Sequence, residues 1–326
     1  MELDYKKLHD EFKLILAEIK KASRIVVYRH EVPDYDALGT QMGLVTFLKE
    51  NYPEKEIHYV GEGHKTFIPR IFPEPEHLDE SFYEKPYLAI CCDTGNTKRI
   101  SEFNPKNATK VIKFDHHPNV EPYGDINCVY DTMGSCAELV GLFLFSMKKK
   151  KEIISKECAT YLYIGIVGDT GRFMYPDCSS MTMRVAADLL DCGVDKEDVY
   201  SRMYYTSFEQ LEFQKWVLNN YHITDKGTCY YVIDKEMVKK LNILPGEGKL
   251  HINLFRNVDG VKCVASITED EAKNEWRVSL RGTTKVVSGV ATKFNGGGHD
   301  FAAGAKLKDI SELQSLIDAL DEVEEA

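Results

Sequence analysis

Four short stretches of this 326-residue chain place acidic or imidazole side chains just where an apolar run stops. His30-x-x-x-Asp34-x-Asp36 follows SRIVVYRH, and Asp93 ends LAICCD. Asp115-His116-His117 ends VIKFDHH, and Asp169 lies in GIVGDTGRF at the end of a helix-like apolar run. Singly each signal is weak, because an Asp after a strand more often forms a turn or caps a helix. Together they deliver five carboxylates and three histidines. Such a cluster repels itself unless it is neutralised, and a bound pair of cations is the usual neutraliser. A carboxylate-rich donor set with some imidazole suits manganese or magnesium, with zinc or cobalt also admitted.

These residues can meet only if the elements carrying them converge. Ligands of open α/β sheets bind at the carboxyl ends of the strands. The pattern predicts strands at 23–30, 56–61, 87–95, 110–117 and 126–131, and a helix from Asp36 to Asn51 with Leu38, Met42, Val45 and Leu48 on one face. Strands that are apolar throughout and alternate with helices predict a parallel sheet covered on both faces. Helices are expected over the amphipathic first 23 residues and over 135–149, 156–168 and 179–191. A polar, aromatic-bearing helical stretch at 195–220 reads as a connector. The chain then turns β-rich: a turn at Asp225–Gly227, a hairpin over 261–282, a helix at 286–294, the glycines 296–298 and a last helix at 309–323. The expected organisation is α/β in two domains, 1–191 and 223–326, with a linker at 192–222 acting as a hinge.

Composition narrows the partners. Lys plus Arg is 41 against Asp plus Glu 52, a net charge of −11. A whole-surface basic track for long nucleic acid is absent, although a local basic pocket is not excluded. The run Lys148–Lys151 reads as a solvated helix end, favoured by the dipole. No stretch approaches the roughly 18–20 apolar residues of a membrane helix. The nine cysteines contain no C-x-x-C pair and read as buried, reduced thiols. A cytoplasmic protein is expected.

The motifs HEVPDYD, CCDTG, FDHH and GDTGRF resemble the four motifs of the DHH phosphoesterase family, and NGGGHDFAAG resembles the signature of its companion DHHA1 domain. The resemblance covers nearly the whole chain, in the family's order. It is strongest to the stand-alone bifunctional oligoribonuclease/pAp phosphatase type, the nanoRNases. It implies a DHH domain over 1–191 and a smaller α/β DHHA1 domain over 223–326. It further implies one metal held by His30, Asp34 and Asp93 and another by Asp36, Asp93, His116 and Asp169, with Asp93 as bridge. Ions about 3.5–4 Å apart can share one activated water. His117 would donate to a phosphate or leaving oxygen, with Asp115 orienting an imidazole; a turn or cap is the plain alternative for Asp115. Arg281, Gly296, Gly297, Gly298 and His299 would hold substrate, with Arg256 and Lys285 as further cations. Arg172 would lie near the metals or in a structural salt bridge. Two positions depart from the family pattern: Tyr35, where a small residue is usual, and Gly282, where Ser often follows the SLR segment.

The expected activity is metal-dependent hydrolysis of short oligoribonucleotides in a cleft between the domains, with manganese preferred and magnesium or cobalt admitted, together with 3′-phosphate removal from pAp. The competing readings are hydrolysis of linear or cyclic dinucleotides such as pApA, a pyrophosphatase or polyphosphatase, and a non-catalytic nucleotide-binding module. The GGGH segment argues against the pyrophosphatase, and the complete ligand set argues against the module. Short RNA or phosphorylated nucleotides are the expected partners, with no membrane and with a homodimer allowed.

Overall fold

The computed structural model describes residues 4–63 and 71–325, so the first three residues of the predicted N-terminal helix lie outside it. The chain divides into two compact units, Met1–Tyr205 and Thr206–Ala326. Among the described residues no helix is long and apolar enough to cross a membrane.

The first unit is built on five parallel strands: β1 (Arg24–Tyr28), β2 (Glu56–Tyr59), β3 (Tyr87–Cys92), β4 (Ala108–Asp115) and β5 (Ile126–Val129), in the order β2-β1-β3-β4-β5. Its helices are α1 (Tyr5–Lys21), α2 (Tyr35–Asn51), α3 (Cys136–Met147), α4 (Lys156–Asp169), α5 (Ser180–Asp191) and α6 (Lys196–Met203). Alternate strand residues face opposite ways, and both faces are buried, which is why the central strands are apolar throughout. Ile25, Val27, Leu88, Ile90, Ile112 and Phe114 pack under the helices. Val26, Tyr28, Ala89 and Cys91 pack under non-helical segments that bring Tyr83, Ile100 and Phe103. The helices therefore sit on one face, and connecting segments with short 3₁₀ turns seal the other.

Glycine brings α2 and α4 backbone to backbone. A Cβ on Gly39 would lie 2.5 Å from the Tyr161 carbonyl oxygen, and one on Gly165 would lie 2.6 Å from the Ala137 Cβ and 3.1 Å from Asp36 Oδ1. This close approach sets the first turn of α2, with Asp36, beside the end of α4, with Asp169.

The second unit contains α7 (Phe208–Asn219), β6 (His222–Ile223), β7 (Thr228–Ile233), α8 (Lys235–Lys240), β8 (Cys263–Asp270), β9 (Glu275–Gly282), α9 (Ser288–Lys293), β10 (Gly297–His299), β11 (Ala302–Leu307) and α10 (Leu313–Asp321). The sheet order is β10-β11-β9-β8-β7-β6, with β7 and β8 parallel and the other pairs antiparallel. Val278, Leu280, Ala303 and Ala305 pack on one face with α9 and α10. The 195–220 stretch is broken between α6 and α7, where Ser207 starts α7 with a capping box to Gln210.

Candidate metal centre

β1, β3 and β4 all point their carboxyl ends at one place, and each delivers a ligand-type side chain there. His30 follows β1 and is buried. Its Nδ1 lies 2.6 Å from the Glu31 carbonyl oxygen. A carbonyl can only accept, so Nδ1–H donates and the lone pair of Nε2 is left for the site. That Nε2 lies 3.6 Å from Asp34 Oδ2 and 3.3 Å from Asp93 Oδ2. His116, just past β4, repeats the arrangement. Its Nδ1 donates to the Met133 carbonyl at 3.2 Å, and its Nε2 faces Asp169 Oδ2 at 3.2 Å, Asp93 Oδ1 at 3.5 Å and Asp36 Oδ2 at 3.7 Å.

Helix ends fix the carboxylates. Asp34 caps α2 by accepting from the Ala37 amide, and its side chain is 58% exposed. Asp36 is buried and accepts from the Cys136 and Ala137 amides at 2.7 and 2.8 Å and from the Thr40 hydroxyl at 3.1 Å. Those amides are the first of α3, so a helix N-terminus stabilises this carboxylate. Asp169 is the last residue of α4.

Asp93 occupies the centre. Its backbone takes φ +52°, a left-handed conformation that Asp tolerates better than most residues. One carboxylate oxygen faces His30; the other faces His116 and, at 3.4 Å, Nδ1 of His117. Oδ1 is buried and, among the described residues, receives no hydrogen bond. Buried acceptors are rarely left so unless a ligand or ion completes them.

The geometry groups these side chains into three overlapping sets: His30 with Asp34 and Asp93; Asp36 with His116 and Asp169; and Asp93 with His116 and His117. All six residues named as metal ligands from the sequence fall in these sets. The electrostatics suit a bound cation. Burial raises the Asp36 pKa to about 7, with the Asp93 charge adding to it. Burial, then the Asp36 charge, raises Asp169 well above the usual carboxylate range. Burial alone would lower the His30 pKa, but the hydrogen bonds to Asp34 and Asp93 outweigh it and raise it to about 10. At His116 burial is likewise outweighed, by Asp169, Asp93 and Asp36, and the pKa rises to about 10. These shifts mean that a cation bound here competes with protons for the same groups.

His117 stands apart. Its Nδ1 lies 2.8 Å from Asp115 Oδ1, which also accepts the His117 amide at 3.2 Å. Burial would raise the Asp115 pKa, but His117 and Lys113 bring it below the usual range. Sequence reasoning missed Lys113. It is fully buried, 3.2 Å from Asp115 Oδ2, and donates to the Gly95 and Glu121 carbonyls. Arg29 was also missed. This buried side chain donates to Gln41 Oε1 and to the carbonyl of His30 itself. The available signal was a cation inside an otherwise apolar strand run. Lys113→Met is expected to lower stability by about 3–5 kcal/mol, because it leaves Asp115 buried without its cation. Urea unfolding measures this, and a loss below about 1 kcal/mol would show that the pair is not coupled.

In the second unit the register puts His299 opposite Ala302, and Ala302 opposite Arg281. Arg281 and His299 therefore stand in one row of the sheet, two strands and about 10 Å apart. Arg277, Ser279 and Arg281 alternate with the buried Val278 and Leu280. The glycine run is an edge strand. Gly296 and Gly298 are sterically required, since added Cβ atoms would lie 1.9 Å from the Gly304 oxygen and 2.6 Å from the Ala302 oxygen; Gly297 is open. Lys285 is buried and donates to the Leu320 and Asp321 carbonyls at the end of α10, which removes it from the candidate phosphate contacts.

Comparison with known proteins agrees with both units. The DHH family, N-terminal domain, matches residues 24–166, and the DHHA1 domain matches residues 231–326. The bifunctional oligoribonuclease and PAP phosphatase NrnA of Bacillus subtilis is 30% identical over 94% of this chain and 96% of its own length. The probable counterpart from Streptococcus mutans is 32% identical over 95% of this chain and 97% of its own. Among solved structures, an exopolyphosphatase-related protein from Bacteroides fragilis matches with a TM-score of 0.86 at 26% identity, covering 96% of each chain. RecJ from Thermus thermophilus shares the fold, at a TM-score of 0.55 and 14% identity over 98% of this chain and 55% of its own. With its converging strand ends, its two motif-bearing units and relatives spanning nearly its full length, this chain belongs to the DHH family and carries a DHHA1 domain as its second unit.

Proposed function

We propose that this protein is a two-metal phosphodiesterase that hydrolyses short oligoribonucleotides and also removes the 3′-phosphate of pAp. The observation that carries the reading is Asp93, whose two oxygens face separate histidines and one of which, among the described residues, is buried without a hydrogen bond. The relatives that match over nearly the whole chain are named as oligoribonuclease and PAP phosphatase, which supports the substrate class.

In this reading His30, Asp34 and Asp93 would hold one ion, and Asp36, Asp93, His116 and Asp169 would hold the other. Divalent ions bound there would supply charge neutralisation for the phosphate and a water made nucleophilic at neutral pH. Manganese suits this mixed carboxylate and imidazole set best. His117 is aimed by Asp115 and donates to a phosphate or leaving oxygen. Asp36 and Asp169 are kept in place by helix ends, so the charge they present costs little reorganisation. In the second unit Arg281, His299 and the amides at 296–298 hold a neighbouring phosphate or nucleotide; a planar guanidinium suits bidentate contact with phosphate. Nine unpaired thiols fit a reducing, cytoplasmic setting.

The direct test is hydrolysis of five-mer RNA, pAp, pApA and pyrophosphate by the purified protein with manganese. Turnover of the RNA and pAp is expected. Turnover of pApA alone would move the assignment to dinucleotides, and turnover of pyrophosphate alone would contradict the nucleotide reading.

Arg281→Ala separates grip from chemistry. It is expected to lower kcat/KM for a dinucleotide by roughly 10²-fold, since a charge-assisted contact contributes about 1.5–3 kcal/mol. Cleavage of bis-p-nitrophenyl phosphate, which has no second phosphate, should change much less, and bound metal should not change. Equal loss on both substrates would place Arg281 at the reacting phosphate instead.

A further inference from the structure

Arg172 is exposed, three residues beyond Asp169, and among the described residues no carboxylate pairs with it. The salt bridge admitted from the sequence is not there. Its guanidinium carbon instead lies 4.8 Å from the centroid of the Tyr204 ring. The backbone that achieves this is strained. Gly171, Arg172 and Phe173 follow one another at φ +54°, +65° and +65°. Left-handed conformations are costly for side chains larger than glycine and persist only where the surroundings impose them. Here Thr170 and Val167 impose them. The Thr170 carbonyl accepts from the Met174 and Tyr175 amides, its hydroxyl accepts from the Phe173 amide, and the Val167 carbonyl accepts from the Arg172 amide.

Tyr204 is tied to the same metal-bearing segments from the other side. Tyr35, between Asp34 and Asp36, donates its hydroxyl to the Met203 carbonyl at 3.3 Å. Its stem lies where a Cβ on Gly168 would meet it at 2.5 Å, so Gly168 makes room for it beside Asp169. The bulky residue at position 35 therefore fastens the chain before Tyr204 to the ligand turn. Tyr204 packs against Tyr200, ring centroids 5.8 Å apart, and remains 41% exposed.

We propose that Arg172, held over the Tyr204 ring, forms with it a nucleobase seat beside the Asp169 end of the metal cluster. A guanidinium laid on an aromatic ring is a flat, cationic surface that a second π-system can extend. Stacking of this kind tolerates any base, as an enzyme for short oligoribonucleotides of mixed sequence requires. The seat rests on the phosphoesterase reading above and deepens it: it names the base, next to the scissile phosphate, as a recognised part of the substrate.

The test uses the manganese-loaded full chain with pApA and two analogues, each with one adenosine replaced in turn by an abasic sugar. Arg172→Ala and Tyr204→Leu are expected to raise KM for pApA about tenfold, with little change in kcat. On one analogue the penalty should vanish, which identifies the seated nucleotide. Arg172→Lys, which keeps the charge and loses the plane, should behave like Arg172→Ala. An equal penalty on pApA and both analogues, or full recovery with Arg172→Lys, would make Arg172 a phosphate contact and overturn the base seat. Failure of the unaltered protein to cleave pApA while it cleaves five-mer RNA and pAp would overturn the seat alone; failure on all of these substrates would overturn the parent reading, and the seat with it.

Discussion

Asp93→Ala is expected to lose at least about 10³-fold in turnover, because the one carboxylate that faces both donor sets disorganises both when it is removed. The fold should survive. Without metal Asp93 repels Asp36 but also pairs with the protonated His30 and His116, so among the described residues its removal exchanges one unfavourable contact for two lost favourable ones. The metal-free variant should therefore remain folded, with a melting temperature within a few degrees of metal-free wild type. The thermal gain on adding manganese, present in the wild type because an ion binds only the folded chain, should largely disappear. Activity assays with metal analysis and melting curves check each part. Near-normal turnover in the variant would remove Asp93 from the centre of the site. Asp34→Ala should also be severe, but Asp34 belongs to a single donor set and the other can still load.

The second large effect is linkage between metal and protons. In the metal-free protein His30 and His116 have pKa values raised to about 10 and Asp36 to about 7. At neutral pH both imidazoles are therefore protonated and must release protons to bind metal. With about two protons displaced, the overall manganese binding constant should rise on the order of 10⁴-fold between about pH 6 and about pH 8. The sign for stability follows from the same shifts. Groups whose pKa is raised by folding stabilise the metal-free fold below their unfolded values, and that contribution is lost as pH rises through the folded ones. Metal-free protein should thus lose stability between about pH 6.5 and about pH 10, while the gain from manganese grows over the same interval. Calorimetry in buffers of different ionisation enthalpy counts the protons. Manganese affinity independent of pH would show that these histidines are not ligands.

The strand ends were legible because an apolar run that stops at Asp or His is a chemical discontinuity any reader can see. LAICCD and VIKFDHH end within two residues of the ends of β3 and β4. The hairpin over 261–282 was legible for a similar reason, its two runs being separated by a polar turn. The cations that support the site were not. Lys113 and Arg29 each interrupt an apolar run near its end, where a charged residue looks like emergence into solvent; only the packing shows that both are buried under backbone carbonyls. The helices on a single sheet face were also hidden, because a strand buried by loops has the same composition as one buried by helices. Glycine was ambiguous in the same way. Without side chains the 296–298 run carries no strand signal, and its pairing with β11 depends on a close approach that only three dimensions reveal.

We propose that two divalent ions held around Asp93 would carry the hydrolysis of the phosphodiester. Manganese returned in steps to metal-stripped protein, with bound metal counted and five-mer RNA hydrolysis followed at each step, separates one ion from two. No turnover is expected without metal, little with one ion per chain and full rate as the second site fills. Full rate in excess chelator, or a rate already maximal at one ion per chain, would contradict it.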